Sequence, residues 1–195
     1  MMVIGLTGGS GAGKSTVAAM MKKQGMKIID ADRVARDVVK KGEKTLEELA
    51  EAFGSAILDM DGNLNRRVLA NVVFSDPKKL KQINAITHPR ITCVVKEMIK
   101  KEPGITVIDA PLLYEAGLDS LCSAIITVVA SYEIRLNRIM ARDGISLELA
   151  KKRLDSQKNQ AKFLQQADFI LENDGDEKKL EKRLESILSQ IMGRK

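Results

Sequence analysis

Five short stretches of the chain, residues 2–6, 26–29, 105–108, 124–129 and 169–171, are apolar without a two-residue alternation. Strands that alternate apolar and polar positions bury one face, whereas continuous runs of this length suit strands covered on both faces, as in a parallel sheet between helices. Helical spacing fills the intervals. Val17, Met20, Met21 and Gln24 recur on one face, and Gly25 supplies a stop. Leu180, Leu184, Ile187, Leu188 and Ile191 form the apolar stripe of a last helix that Asp176 is placed to cap. Strands and helices in alternation predict an α/β fold.

Two intervals are too long for simple crossovers. The first, after residue 29, reads as several helices. Leu46, Leu49, Ala50 and Phe53 share a face before Gly54, and a turn at Asp61-Gly62 leads to Val68, Leu69, Val72 and Val73. Ser75-Asp76-Pro77 opens a helix carrying Leu80, Ile83 and Ile86, and His88-Pro89 is expected to end it before a further helix with Ile91, Val94, Val95, Met98 and Ile99. An insertion of this kind either braces the sheet or holds a second substrate. The second interval places Arg135, Arg138 and Arg142 on one helical face from a Ser131 cap to a Gly144 break. A helix from Ser146 then carries Arg153 and Gln157. That face reads as a solvated surface or as a lid closing over phosphates.

The chemistry begins where the first apolar run ends. Residues 8–15 read Gly-Gly-Ser-Gly-Ala-Gly-Lys-Ser, the pattern G-x-x-x-x-G-K-[ST] between a strand and a helix. Its glycines let consecutive amides converge on an anion, and the helix N-terminus adds partial positive charge. Gly11, Ala12, Gly13, Lys14, Ser15 and Thr16 are therefore expected to bind ATP, with Lys14 at the β- and γ-phosphates and Ser15 on Mg²⁺. A dinucleotide fingerprint does not fit, since Lys14 stands where its third glycine belongs. Asp109 closes the third apolar run, where an acid can hold Mg²⁺ directly or through water. Asp30-Ala31-Asp32 closes the second. There Asp32 either orients an acceptor hydroxyl or caps the helix before Val34. Arg142, and next Arg138, would stabilise charge on the migrating phosphoryl group. His88, the single histidine, fits a helix break or a substrate contact better than a general base.

Composition narrows the partners. The net charge is +6, yet aromatic residues are 3 % and tryptophan is absent, so there is little for bases to stack on. Small phosphorylated ligands suit this balance better than nucleic acid. No apolar run is long enough for a membrane span, and the start of the chain has no signal-peptide layout. Cys93 and Cys122 lack metal spacing and read as free thiols of a cytoplasmic protein.

Taken together these residues resemble the dephospho-coenzyme A kinase family. The likeness runs in order through residues 5–15, Asp30-Ala31-Asp32 with Arg36, Leu64-Asn65-Arg66, Val73-Phe74, His88-Pro89-Arg90-Ile91 and residues 109–117. It continues through Arg138 to Arg142-Asp143, Arg153 with Gln157, and Ala167-Asp168 with Asn173 and Gly175. Ser10 and Ala12 depart from the family pattern, at positions where backbone amides make the contacts. The resemblance implies a three-layer P-loop NTPase fold with a five-stranded parallel sheet, a helical substrate-binding insertion and a helical lid. It implies a nucleotide-binding core at 1–35, 102–130 and 160–195, an acceptor domain at 36–101 and a lid at 131–159. It implies transfer of the ATP γ-phosphate to the ribose 3′-hydroxyl of dephospho-coenzyme A, with Asp32 as catalytic acid/base. Asp32, Arg36, His88, Pro111 and Leu112 would contact that substrate, and Asn173 and Gly175 would lie near the adenine.

Overall fold

The structure is a computed structural model that describes residues 1–74, 76–101, 103–156 and 164–193. Ser75 and Gln157, which the sequence reading used, lie outside the described residues. The chain divides into two compact units, Met1–Ile28 with Pro103–Lys195, and Ile29–Glu102.

Five strands, β1 (Met2–Gly8), β2 (Lys27–Asp30), β3 (Ile105–Asp109), β4 (Ala124–Val129) and β5 (Phe169–Glu172), form one sheet in the order β2-β3-β1-β4-β5. β1 pairs in parallel with β3 on one side and β4 on the other, and β4 pairs in parallel with β5. The expected parallel α/β sheet is therefore present. β1 runs two residues beyond its apolar stretch, because Thr7 and Gly8 still pair with Thr127 and Val128. The chain moves to one side of β1 for β3 and to the other for β4, and open α/β sheets bind ligands at the carboxyl ends of strands beside such a reversal.

In the first unit, Ile4, Leu6, Val107, Ile126 and Val128 of the sheet pack into one core with two helices. Helix α1 (Lys14–Lys23) contributes Val17, Met20 and Met21, and the C-terminal helix (Glu177–Gly193) contributes Leu180, Leu184, Leu188 and Ile191. Both stop and start signals act as read. Gly25 (φ +84°) ends α1 with Met26 N–H donating to the Met21 carbonyl, and the Asp176 carboxylate accepts from Lys179 N–H. Helices α6 (Tyr132–Asp143) and α7 (Leu147–Asp155) bury Leu136, Ile139, Ala150 and Leu154 against one another, with Gly144 (φ +62°) at their joint.

The second unit is mainly helical, with α2 (Ala31–Asp37), α3 (Lys44–Phe53), α4 (Arg66–Phe74) and α5 (Pro77–Lys100), the end of β2 and one isolated antiparallel bridge between Leu58 and Leu64. Asn65 caps α4, its side chain accepting from Val68 N–H at 3.1 Å. One expectation fails here. Pro89 does not end a helix; α5 runs through it without interruption. A proline removes one intrahelical bond and crowds the preceding turn. Beyond it, however, Ile91, Val95 and Ile99 are buried and α5 packs with α2, α3 and α4. That burial outweighs the local cost.

Candidate functional site

The end of β1 turns into α1 through the glycine-rich loop, and the turn depends on backbone shapes that a side chain would oppose. Gly11 and Gly13 sit at φ +78° and +90°. A Cβ on Gly11 would stand 2.6 Å from the Arg135 carbonyl oxygen, and one on Gly13 would stand 2.0 Å from the Asn173 amide nitrogen. The Ala12 amide closes the turn on the Gly9 carbonyl at 3.1 Å. Among the described residues the amides of Gly13, Lys14 and Ser15 have no backbone acceptor, as the first turn of any helix requires. Together they make a donor set for an anion.

The loop is held from its carbonyl side. Arg135 Nε donates to the Ser10 carbonyl at 2.9 Å. Arg138 Nη1 reaches the Gly11 and Ala12 carbonyls at 3.3 and 3.4 Å, and its Nη2 donates to Asn173 Oδ1 at 3.2 Å. The buried Asn173 donates from Nδ2 to the Ala12 carbonyl at 2.9 Å. In a trans peptide the carbonyl and the next N–H point in opposite directions. Pinning the Ser10 and Ala12 carbonyls therefore aims the Gly11 and Gly13 amides the other way.

Lys14 and Asp109 come together as an ion pair, each largely shielded from solvent. The register explains it: Leu6 pairs with Asp109 across β1 and β3, so the acid ends its strand beside the root of the loop. Ser15 and Thr16 are exposed in the first turn of α1. The chain after Asp109 remains tied to β1, Ala110 N–H donating to the Leu6 carbonyl at 3.0 Å and Thr7 Oγ1 to the Pro111 carbonyl at 3.3 Å. Leu112 is 59 % exposed, an apolar side chain presented to solvent next to that anchor. Gly175, φ +116°, is exposed, with nothing within 4 Å of where a Cβ would stand.

Arg142 occupies the exposed end of the arginine face. Its Nη2 lies 3.4 Å from Ser10 Oγ, while Nε and Nη2 hold the Asp143 carboxylate at 2.7 and 2.9 Å. Arg153 of α7 grips the same carboxylate. Hydrogen bonding from Arg142, then the charges of Arg142 and Arg153, keep the Asp143 carboxyl below the usual carboxylate range. The same contact raises Arg142.

In the helical unit, Asp30 rather than Asp32 caps α2, its carboxylate accepting from Arg33 N–H at 3.0 Å. Asp32 sits exposed in the first turn, so the capping alternative falls to its neighbour. Arg36 is exposed on the same helix, and its carbonyl accepts from Arg66 Nη2 at 3.5 Å. His88 lies half-buried in α5. Two contributors escape the sequence reading: Asn65 as a cap, and Arg135 as a loop contact. For Asn65 a signal was available, since it stands three residues before Val68, the first apolar residue of the α4 stripe and the spacing of an N-cap bond. For Arg135 the helical spacing carries none.

A phosphate loop between β1 and α1, an acid at the end of the adjacent β3 and arginines from α6 define a P-loop kinase of small molecules. The family model for dephospho-CoA kinase matches residues 2–179. The chain belongs to the dephospho-CoA kinase family. It is 40 % identical over 192 residues to the dephospho-CoA kinase of Fusobacterium nucleatum subsp. nucleatum, covering 98 % of this chain and 99 % of the relative. It is 43 % identical over 181 residues to that of Moorella thermoacetica, covering 90 % and 85 %. Among solved structures, dephospho-CoA kinase from Campylobacter jejuni superposes with TM-score 0.70 at 29 % identity over 97 % and 96 % of the two chains. A shikimate kinase from Bacteroides thetaiotaomicron shares the fold, with TM-score 0.58 at 18 % identity over 96 % and 98 %.

Proposed function

We infer that this protein phosphorylates dephospho-coenzyme A with ATP, giving coenzyme A and ADP by transfer to the ribose 3′-hydroxyl. The observation that supports the ATP half is the loop itself: among the described residues the Gly13, Lys14 and Ser15 amides have no backbone acceptor, and Arg135, Arg138 and Asn173 hold the Ser10, Gly11 and Ala12 carbonyls. The family match supports the acceptor. Phosphoryl transfer through a loose transition state demands alignment and fixed positive charge more than covalent chemistry.

The residues divide that work. Gly11, Ala12, Gly13, Lys14, Ser15 and Thr16 bind the ATP phosphates. Lys14 leaves Asp109 for the β- and γ-phosphate oxygens. Arg142 stabilises charge that builds on the migrating group; Arg138 joins it only by turning a donor away from the Gly11 and Ala12 carbonyls or Asn173. Asp32 accepts a hydrogen bond from the acceptor hydroxyl and turns its oxygen towards the phosphorus. Arg36, His88, Pro111 and Leu112 contact the acceptor, the two last through an anchored backbone and an exposed apolar side chain. Asn173 and Gly175 lie by the adenine. In domain terms, residues 1–35, 102–130 and 160–195 bind nucleotide, 36–101 bind the acceptor and 131–159 act as a lid.

Mg²⁺ fits the residues present. The exposed Ser15 hydroxyl and the Asp109 carboxylate at the loop's root are hard oxygen donors. One or two such protein groups, completed by substrate phosphates and water, are the usual surroundings of this ion. Held by Ser15 and Asp109, it would supply Lewis-acid charge that offsets the negative charge of the phosphates. No helix among the described residues is long and apolar enough to cross a membrane. A cytoplasmic site of action is consistent with a biosynthetic kinase of this family.

Asp32→Asn tests the assignment of roles. It should lower kcat by about 10²- to 10⁴-fold, the usual worth of a positioned acid or base, while ATP binding stays within about two-fold. Near-normal kcat would remove Asp32 from the mechanism.

A further inference from the structure

Arg135 is a charged side chain in the interior. It is 5 % exposed, whereas Arg142 on the same helical face is exposed and Arg138 lies between the two. Burying a guanidinium is costly unless its donors are used. Desolvation accordingly presses its acidity towards the neutral form, although the group stays charged at any ordinary pH. Its Nε is committed to the Ser10 carbonyl at 2.9 Å. Its backbone is committed as well, since the Arg135 Cα and carbonyl stand where a Cβ on Gly11 would be. The first turn of α6 and the first half of the phosphate loop are thus one packed unit, with one peptide plane set by a charge-assisted bond.

That peptide plane is the one whose other end is the Gly11 amide. We propose that Arg135 is a positioning residue for nucleotide binding, which holds the Ser10 carbonyl on the α6 side and so keeps the Gly11 amide directed at the nucleotide's phosphates. Arg138 and Asn173 do the same for the Ala12–Gly13 peptide. Arg135 touches the loop backbone and need not touch ATP. Its loss is therefore felt in ATP affinity, whereas an arginine that meets only the transition state would be felt in kcat.

The test compares Arg135→Met, which keeps the apolar stem and removes every donor, with Arg135→Gln, which keeps an amide donor on a shorter chain. Steady-state constants for both substrates are read beside calorimetric ADP binding and the melting temperature without nucleotide. Arg135→Met should raise the KM for ATP and the Kd for ADP roughly ten-fold, the scale of one charge-assisted hydrogen bond. The KM for dephospho-coenzyme A should stay within about two-fold, and Arg135→Gln should recover most of the ADP affinity. A lower melting temperature with unchanged ATP KM and ADP Kd would overturn the proposal, as would parallel losses for both substrates without rescue. Should Arg135→Met fail to fold, Arg135→Lys carries the same comparison, weakened ADP binding supporting the proposal and wild-type binding refuting it. The proposal rests on the loop being the nucleotide site; failure of the unaltered protein to bind ADP would instead sink that reading.

Discussion

Two residues show how strongly local geometry constrains chemistry here. Gly13 combines φ +90° with a neighbour, Asn173 Nδ2, lying 2.0 Å from where its Cβ would be. Gly13→Ala must therefore displace the amide that holds the Ala12 carbonyl. It should cost about 1–3 kcal/mol of stability and lower ADP affinity in the same variant, read by urea unfolding and calorimetry. Cys122 illustrates the opposite, a reactive group made inert. Burial first, then the charges of Asp119 and Asp168, push its thiol from near 9 up to about 12. The folded state thus keeps a proton that the unfolded chain releases, so this contribution to stability is whole below about pH 9 and fades as pH rises towards 12. At pH 8 iodoacetamide should label the exposed Cys93 and spare Cys122 until denaturant is added. Equal labelling of both native thiols would contradict that picture.

At the scale of elements, most of the plan is legible because hydropathy and glycine placement speak locally. The continuous apolar runs mark all five strands, and the spacing of Gly8, Gly13 and Lys14 marks the phosphate loop. The misses share a cause: long-range contact. Thr7 and Gly8 do not look like strand, yet pairing with β4 extends β1 through them. Pro89 looks like a helix end, yet buried Ile91, Val95 and Ile99 carry α5 past it. Arg135 shares its helical spacing with exposed arginines, and only the packed loop distinguishes it. Asn65 is the exception, a local miss: its side chain caps α4 through Val68 N–H three residues on, a spacing the sequence displays. Asn65→Ala should then destabilise the protein by about 1 kcal/mol, measured by urea unfolding, with ATP KM unchanged. A loss of ATP affinity at unchanged stability would assign Asn65 a different task.

For the whole molecule, the order β2-β3-β1-β4-β5 places the phosphate loop after the central strand and Asp109 at the end of its neighbour. The fold thereby supplies a nucleotide site with few residues, and a shikimate kinase shares that fold. What distinguishes one such kinase from another is its acceptor, so the decisive quantity is a ratio of kcat/KM values across acceptors. The most direct measurement is ADP release with ATP and Mg²⁺ in the presence of dephospho-coenzyme A, AMP, CMP or shikimate, with the phosphorylated product identified by mass. Rapid turnover of dephospho-coenzyme A to coenzyme A, and little with the other three, is the predicted result. Faster turnover of a nucleoside monophosphate, or ADP release without any phosphorylated acceptor, would contradict it.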